Sequence, residues 1–198
     1  MSANTCLTEE ERSKLESVRV GIAGAGGLGS NCAMHLVRAG VVKITVADFD
    51  CVCESNLNRQ FFFRDQLGRK KVDALAENLR RIEPDAEITP VDARLNAASA
   101  AEIFSDCDIL VEAFDSDEAK CWFVAAFMKS GKPVITASGL AGWGRSNAMR
   151  VRKFGNVYAI GDGESAVGAD LAPASPRVGI AAAMEANTVV SIILGREP

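Results

Sequence analysis

The feature that most constrains the fold is a glycine-rich turn between a strand pattern and a helical pattern. The apolar run VRVGIAG, residues 18–24, indicates a buried strand, and it continues into GAGGLG, which has the spacing G-x-G-x-x-G. Apolar residues then recur at helical spacing from Leu28 to Ala39. Glycines at such a corner let backbone amides approach phosphate oxygens, and the helix N-terminus adds partial positive charge. The turn therefore predicts a nucleotide site at the carboxyl end of the first strand.

Short strand patterns and helical patterns alternate through the rest of the chain. This order predicts an α/β, Rossmann-like fold with a mostly parallel central sheet and helices on both faces. The segments SNAMRVRKF and NVYAIG predict antiparallel edge strands near the C-terminus. We expect one nucleotide-binding domain over 1–198, with an N-terminal helix in 1–17, a loop over 161–175 and a closing helix from Ser175 to about Leu194.

Composition excludes several classes of protein. The hydrophobic fraction of 48% suits a compact core, and no apolar run reaches the length that spans a membrane. A net charge of −4 argues against duplex nucleic acid as the main partner. The six cysteines show no disulfide spacing and no C-x-x-C pair. We therefore expect a cytoplasmic protein without structural zinc.

An acidic residue supports the nucleotide interpretation. Asp48 ends the second strand pattern, VKITVAD, 19 residues after Gly29. In this architecture an acid at that place reaches ribose hydroxyls. The same features fit NAD and ATP, so the turn and Asp48 leave both nucleotides open.

The segment NLNRQFFFRDQLGRKK, residues 56–71, combines three adjacent phenylalanines with five cations. Arg59 lies in the connection that leaves the second strand at its carboxyl end, the ligand-binding end of such sheets. We expect Phe61 to Phe63 to anchor this loop so that Arg59 is held rigidly, with a dimer contact as the alternative for at least one ring.

Three cations are predicted in the first turn of the next helix, where the helix dipole disfavours each by about 0.3–1 kcal/mol. For Arg69 and Lys70 a solvated surface is the favoured interpretation. Lys71 adjoins the buried face of the helix, so a bound phosphate is the better explanation of its charge.

Five ordered segments, GAGGLGS, DFD, SNLNRQ, GRKKVDA and EAFDSDEAK, resemble the successive motifs of the ThiF/MoeB family of ubiquitin-activating-enzyme-like adenylyltransferases. The resemblance implies ATP and Mg²⁺ as cofactors, with Arg59, Lys71 and Asp115 as catalytic residues and Asp115 as the metal ligand. The residues that it assigns to nucleotide binding are Gly24, Gly26, Gly27, Leu28, Gly29, Asp48, Asp50, Asn56, Arg59, Gln60, Lys71, Asp115 and Ser116.

The implied reaction is adenylation of the C-terminal glycine carboxylate of a small ubiquitin-fold sulfur carrier protein. The attacking carboxylate is already an anion at neutral pH, so the site needs no general base. The short chain is most similar to the ThiF type of thiamine biosynthesis, which implies a ThiS-like carrier and a homodimer. The 161–175 loop corresponds to the family's crossover loop and contains no cysteine, so we expect no covalent step through it.

Other functions share parts of this evidence. An NAD-dependent oxidoreductase would use the glycine turn and Asp48 but leave Arg59, Lys71 and Asp115 without a role. A non-catalytic nucleotide-binding protein is the third interpretation. A family member that acts on a tRNA base is a further one, which the acidic net charge disfavours.

Overall fold

The computed structural model describes residues 7–165 and 173–198. No helix in these two ranges is long and apolar enough to cross a membrane. The helices are α1 (Glu9–Ser17), α2 (Gly27–Ala39), α3 (Lys71–Arg80), α4 (Ala97–Ile103), α5 (Asp117–Phe127) and α6 (Ser175–Ile193). The strands are β1 (Arg19–Ala23), β2 (Lys43–Asp48), β3 (Glu87–Asp92), β4 (Ile109–Glu112), β5 (Val134–Ala137), β6 (Arg150–Phe154) and β7 (Val157–Gly161).

The strands form one seven-stranded sheet in the order β3-β2-β1-β4-β5-β7-β6. All neighbouring strands are parallel except β6 and β7, which form an antiparallel hairpin at one edge. The predicted fold class and the antiparallel edge strands are therefore confirmed. Because the chain crosses from one side of β1 to the other between β3 and β4, the topological switch point lies at the carboxyl ends of β1 and β4.

Two apolar clusters cover the two faces of the sheet. Helices α2, α3 and α6 pack on one face, and α4 and α5 pack on the other. Gly21 in β1 shows how closely the second layer approaches, because a Cβ there would lie 2.7 Å from Cδ1 of Phe104. Both faces of the central strands β1, β2, β4 and β5 are buried, which explains why these strands are largely apolar.

The predicted start of α3, which put Arg69 in the first turn of the helix, is too early. The helix begins at Lys71, and Lys70 is its extended N-cap residue, held in a bridge with Cys51. Arg69 and Lys70 therefore precede the helix, so only Lys71 opposes the dipole. Neither flanking cation is simply solvated, since Arg69 pairs with Glu77 at 2.7 Å and Lys70 with Asp92 at 3.0 Å.

The other predicted helix and loop boundaries agree more closely with the structure. Thr8 caps α1, and the backbone N–H of Glu11 donates to its hydroxyl at 3.2 Å. The closing helix α6 begins at Ser175, as predicted, and ends at Ile193. Of the loop expected over 161–175, residue 161 ends β7, and residues 166–172 lie outside the described part of the chain.

Candidate nucleotide site

Two glycines of the turn between β1 and α2 are required by the packing of the backbone. Gly24 has φ 106°, and a Cβ added there would lie 2.8 Å from the carbonyl oxygen of Ala113. A Cβ on Gly29 would lie 1.9 Å from the carbonyl oxygen of Gly24. A side chain at either position therefore forces the backbone to shift.

Gly26 differs from these two glycines because the space beside it is open. The nearest neighbour of a Cβ on Gly26 would be Nε2 of Gln60, at 3.8 Å. Gly26 is the N-cap of α2 with φ −80°, a value that any residue adopts. Its missing side chain thus leaves room at the positive end of α2, where a phosphate could approach the backbone. The Oε1 of Gln60 is buried and has no hydrogen-bond partner within the described residues.

Asp48, at the carboxyl end of β2, is tied to the turn. Its Oδ2 accepts a hydrogen bond from the backbone N–H of Ala25 at 2.7 Å, and its Oδ1 accepts from the backbone N–H of Asp50 at 2.8 Å. These two bonds fix the carboxylate beside the glycine turn. The remaining lone pairs are available to ribose hydroxyls.

The loop that carries Arg59 is organised by a buried amide. Oδ1 of Asn56 accepts from the backbone N–H of Cys53 at 3.1 Å, and the carbonyl of Asn56 accepts from the amides of Arg59 and Gln60 at 3.1 and 2.9 Å. The Arg59 guanidinium donates to the carbonyl of Ser55 and to Oδ1 of Asn58. Across the described ranges, Arg59 has no carboxylate partner, so its charge remains available to an anionic ligand.

The phenylalanines hold this loop on the core, with one exception. Phe62 is buried, and Phe61 packs against the same cluster. Phe63 remains 46% exposed, with its ring edge-on to Phe61 and under the guanidinium of Arg81. The anchoring prediction therefore holds for Phe61 and Phe62 and is wrong for Phe63.

Lys71 is a nearly buried cation at the first position of α3. The residue is 5% exposed, and its Nζ lies 2.8 Å from Oδ2 of Asp50, whose side chain is 48% exposed. One carboxylate oxygen accounts for one of the three donors of the ammonium. Lys71 is thus pre-positioned by Asp50 while retaining the capacity to bind a second anion.

Asp115 and Ser116 follow β4, the strand next to β1 at the switch point. Asp115 is exposed, whereas the Ser116 hydroxyl caps α5 by accepting from the backbone N–H of Ala119 at 3.1 Å. No group of three or more His, Cys, Asp or Glu residues suited to a metal occurs in the described ranges. A single carboxylate suits Mg²⁺ that takes its other ligands from phosphates and water, and Asp115 fits that arrangement.

Residues 2–198 match the profile described as the ThiF family. The chain belongs to the ThiF family. The resemblance predicted from the five motifs is therefore confirmed.

Curated relatives of this ThiF-family chain are named as adenylyltransferases. It is 40% identical over 128 residues to the "Adenylyltransferase and sulfurtransferase uba4" of Aspergillus clavatus, an alignment covering 64% of this chain and 26% of the relative. It is 35% identical over 146 residues to UBA4 of Eremothecium gossypii, covering 73% of this chain and 33% of the relative. The chain thus spans about a quarter to a third of the length of these proteins. Their names agree with the expected class of reaction.

Among solved structures, the E. coli tRNA N6-threonylcarbamoyladenosine dehydratase TcdA in complex with ATP superposes with a TM-score of 0.86. The match covers 94% of this chain and 90% of TcdA at 23% identity. At that identity the likeness establishes the shared fold of the ThiF-family domain.

Two polar residues outside the predicted set join the turn to the Arg59 loop. The Ser30 hydroxyl donates to the carbonyl of Gly26 at 2.6 Å and accepts from the backbone N–H of Phe61 at 3.0 Å. Nδ2 of Asn31 donates to the carbonyl of Gly27 at 2.6 Å and to that of Arg59 at 2.9 Å. In the sequence, these contacts are indicated by a pair of adjacent polar residues on the first turns of an otherwise apolar helix. Polar groups that are buried there need hydrogen-bond partners.

A buried acid near Asp115 is also outside the predicted set. Glu112, the last residue of β4, is fully buried and accepts from Nζ of Lys120 at 3.1 Å and from the Thr136 hydroxyl. It also accepts from the backbone N–H of Phe114 at 2.6 Å. Glu112 therefore orients the backbone that leads to Asp115.

The glycines give a matched pair of predictions for this ThiF-family chain. We expect Gly29→Ala to lower the free energy of unfolding by about 1–3 kcal/mol, the usual cost of overpacking. We expect Gly26→Ala to leave stability within about 0.5 kcal/mol and to weaken ATP binding about tenfold, since its methyl group occupies the open space. Urea denaturation and a fluorescent-ATP titration measure the two effects. Equal ATP affinity in wild type and Gly26→Ala would mean that phosphates do not approach this glycine.

Proposed function

We propose that this chain is an ATP-dependent adenylyltransferase that activates the C-terminal glycine carboxylate of a small ubiquitin-fold sulfur carrier protein. The observation that carries the proposal is the combination of an open glycine turn with two cations, Arg59 and Lys71, that lie near it in the fold. Arg59 lies beside the turn, because a Cβ built on Gly27 would be 3.6 Å from the Cγ of Arg59. Lys71 is linked through Asp50 to Asp48, which binds the turn.

The reaction brings two anions together, a carboxylate and the α-phosphate of ATP. The carboxylate attacks phosphorus, the bond to pyrophosphate breaks, and an acyl-adenylate forms. Arg59, Lys71 and the N-terminus of α2 stabilise the negative charge that accumulates, and the fixed loop aligns the reactants. Magnesium, when bound with ATP, supplies further neutralisation, and Asp115 is the residue that would hold it.

A finer assignment is a further part of this proposal. We propose a ThiS-like carrier, a role in thiamine biosynthesis, and a homodimer of chains that each form one nucleotide-binding domain. The relatives named adenylyltransferase and sulfurtransferase support a sulfur carrier as the substrate class. The net charge of −4 gives no support to a tRNA substrate.

Pyrophosphate exchange into ATP tests the reaction. We expect exchange only when a carrier with its C-terminal glycine is present. The glycine carboxylate must first form the acyl-adenylate, and pyrophosphate then reverses that reaction to give ATP. The matched control is the same carrier without its last glycine, which should give background exchange. Tight NADH binding without ATP binding would favour the oxidoreductase instead, and ATP binding without exchange by any carrier would favour a non-catalytic protein.

A further inference from the structure

A second buried ion pair lies at the carboxyl end of the sheet, outside the set of residues assigned to the nucleotide. Asp162 directly follows β7, and Arg177 lies in the first turn of α6. The two residues are 5% and 2% exposed, and Nη2 of Arg177 donates to Oδ2 of Asp162. We call this pair the clasp.

The acidic member of the clasp is saturated with hydrogen bonds. Oδ1 of Asp162 accepts from the backbone N–H groups of Glu164 and Ser165, both at 2.8 Å. Its Oδ2 accepts from the Ser165 hydroxyl as well as from Arg177. Burial opposes ionisation, but the hydrogen bonds from Ser165 and Glu164 and the charge of Arg177 together hold the pKa of Asp162 below its usual range. Asp162 is therefore an ionised group in a fixed position.

The basic member connects three segments of the chain. Arg177 donates through Nη1 to the carbonyl of Gly144 at 2.6 Å and through Nη2 to the carbonyl of Gly139 at 3.4 Å. Both carbonyls lie in the loop after β5, so one guanidinium ties this loop to the end of β7 and to the start of α6. Close backbone contact supports the junction, since a Cβ on Gly161 would lie 1.5 Å from the carbonyl oxygen of Ser138.

The residue after Arg177 reaches the candidate nucleotide site. A Cβ on Gly27 would lie 3.0 Å from Cγ1 of Val178 and 3.6 Å from Cγ of Arg59. The side chains of Arg59 and Val178 therefore both lie close to Gly27. A shift of the first turn of α6 would therefore move the Val178 side chain at the glycine that Arg59 also borders.

A contribution to stability alone explains the clasp poorly. A buried ion pair is often no more stabilising than well-packed apolar residues of similar volume. A pair whose groups are nearly all hydrogen-bonded does fix geometry, and supporting contacts of this kind set the precision of a site.

We propose that Asp162 and Arg177 are positioning residues for the adenylation reaction, holding the first turn of α6 against Gly27 and Arg59. The inference rests on the proposed function. Neither residue contacts the groups assigned to ATP, so the clasp acts on the alignment of Arg59 with the reacting phosphate. Its loss therefore lowers kcat rather than the affinity for ATP.

The test compares Asp162→Asn and Arg177→Lys with wild type in carrier-dependent pyrophosphate exchange. Asparagine keeps the shape of the acid without its charge, and lysine keeps the charge without the fork that reaches two carbonyls. We expect kcat to fall about 10–100-fold in both variants, because a displacement of about 1 Å costs this much in an aligned reaction. The KM for ATP should change less than about threefold.

Asn156→Ala is the matched structural control. Nδ2 of Asn156 donates to the carbonyls of Phe127 and Lys132 at 3.0 and 2.6 Å, next to the amino end of β7 and away from the nucleotide. We expect this variant to lose stability while its kcat per folded molecule stays at the wild-type value. If the clasp variants behave in the same way, the proposal is overturned.

Hydrogen exchange separates failure of the clasp from failure of the proposed function. If wild type shows no carrier-dependent exchange of pyrophosphate, the proposed function has failed, and the backbone amides of residues 27–31 and 57–60 become the deciding readout. Faster exchange of these amides in Asp162→Asn than in Asn156→Ala would support the positioning role. Equal protection in the two variants would overturn it.

Discussion

Replacing Lys71 with alanine is expected to lower carrier-dependent pyrophosphate exchange by about 10²–10³-fold, or about 2.7–4 kcal/mol of transition-state stabilisation, the usual effect of removing one pre-organised donor. Lys71 is 5% exposed as a residue, so its charge lies in a medium that screens it poorly. Asp50 holds Nζ at 2.8 Å, which means that little reorganisation is needed when a phosphate arrives. The kcat of exchange at saturating ATP and carrier measures the effect.

Lys70→Ala is the matched control for this prediction. Lys70 is the neighbouring residue and carries the same charge, but its side chain is 41% exposed and pairs with Asp92 at the end of β3. An exposed pair of this kind contributes little, so we expect less than about a threefold change in exchange. Equal losses in the two variants would mean that general positive charge, rather than the position of Lys71, matters.

Replacing Glu185 with methionine is expected to raise the free energy of unfolding by about 1–3 kcal/mol at neutral pH, the cost of a buried polar group without a partner. Glu185 is fully buried in α6, and neither of its carboxyl oxygens has a hydrogen-bond partner in the described part of the chain. Among the same described residues, the hydroxyl of Thr188, one turn later, also has no hydrogen-bond partner. Methionine has a similar volume and removes the polar group, and urea denaturation measures the gain.

The pH dependence of stability gives a sharper test at the same position. Burial raises the pKa of Glu185 well above the ordinary 4.5, Lys120 on α5 lowers it, and Glu112 on β4 raises it further. The group facing it from α2 is the Cys32 thiol, whose own pKa is raised by burial and by Glu185. Above pH 4.5 the unfolded chain releases the proton that the native state retains. The free energy of unfolding therefore falls as pH rises towards the pKa of the folded state.

Glu185→Gln separates the effect of the titrating proton on stability from the effect of the buried polar group. Glutamine cannot titrate but keeps polar atoms in the same place, so this variant should lose the decrease in stability above pH 4.5 while gaining little at pH 4.5 itself. Glu185→Met should gain stability at both ends of the range. A wild-type pH profile parallel to that of Glu185→Gln would show that Glu185 does not retain a proton in the native state.

Much of the fold follows from patterns that neighbouring residues set. The turn after β1 requires glycine, Thr8 and Glu11 close a capping box, and the alternation of strands with helices determines a parallel sheet. The start of α3 was misplaced because a bridge between Cys51 and Lys70 keeps Lys70 extended. That bridge joins residues far apart in sequence, so no local pattern reveals it.

The candidate site likewise combines features that the sequence predicts with features that it does not. The sequence placed Asp48 at the end of a strand and Arg59 in the connection that follows it. It did not distinguish Gly26, which leaves open space, from Gly29, which the backbone requires. It also gave no sign that Asp50 would hold Lys71, since ion pairing depends on which side chains the folded backbone brings together.

By itself, the sequence determined the Rossmann-like sheet, the glycine turn after β1 and membership of the ThiF family, because these depend on local periodicity and on the order of motifs. Only the tertiary structure decided which charged groups are buried and how they are paired. The clasp of Asp162 and Arg177 is visible only there, and so is the lack of a hydrogen-bond partner for Glu185 among the described residues. The physical reason is that burial and pairing of charge arise from contacts between segments distant in sequence, which hydrophobic patterning does not encode.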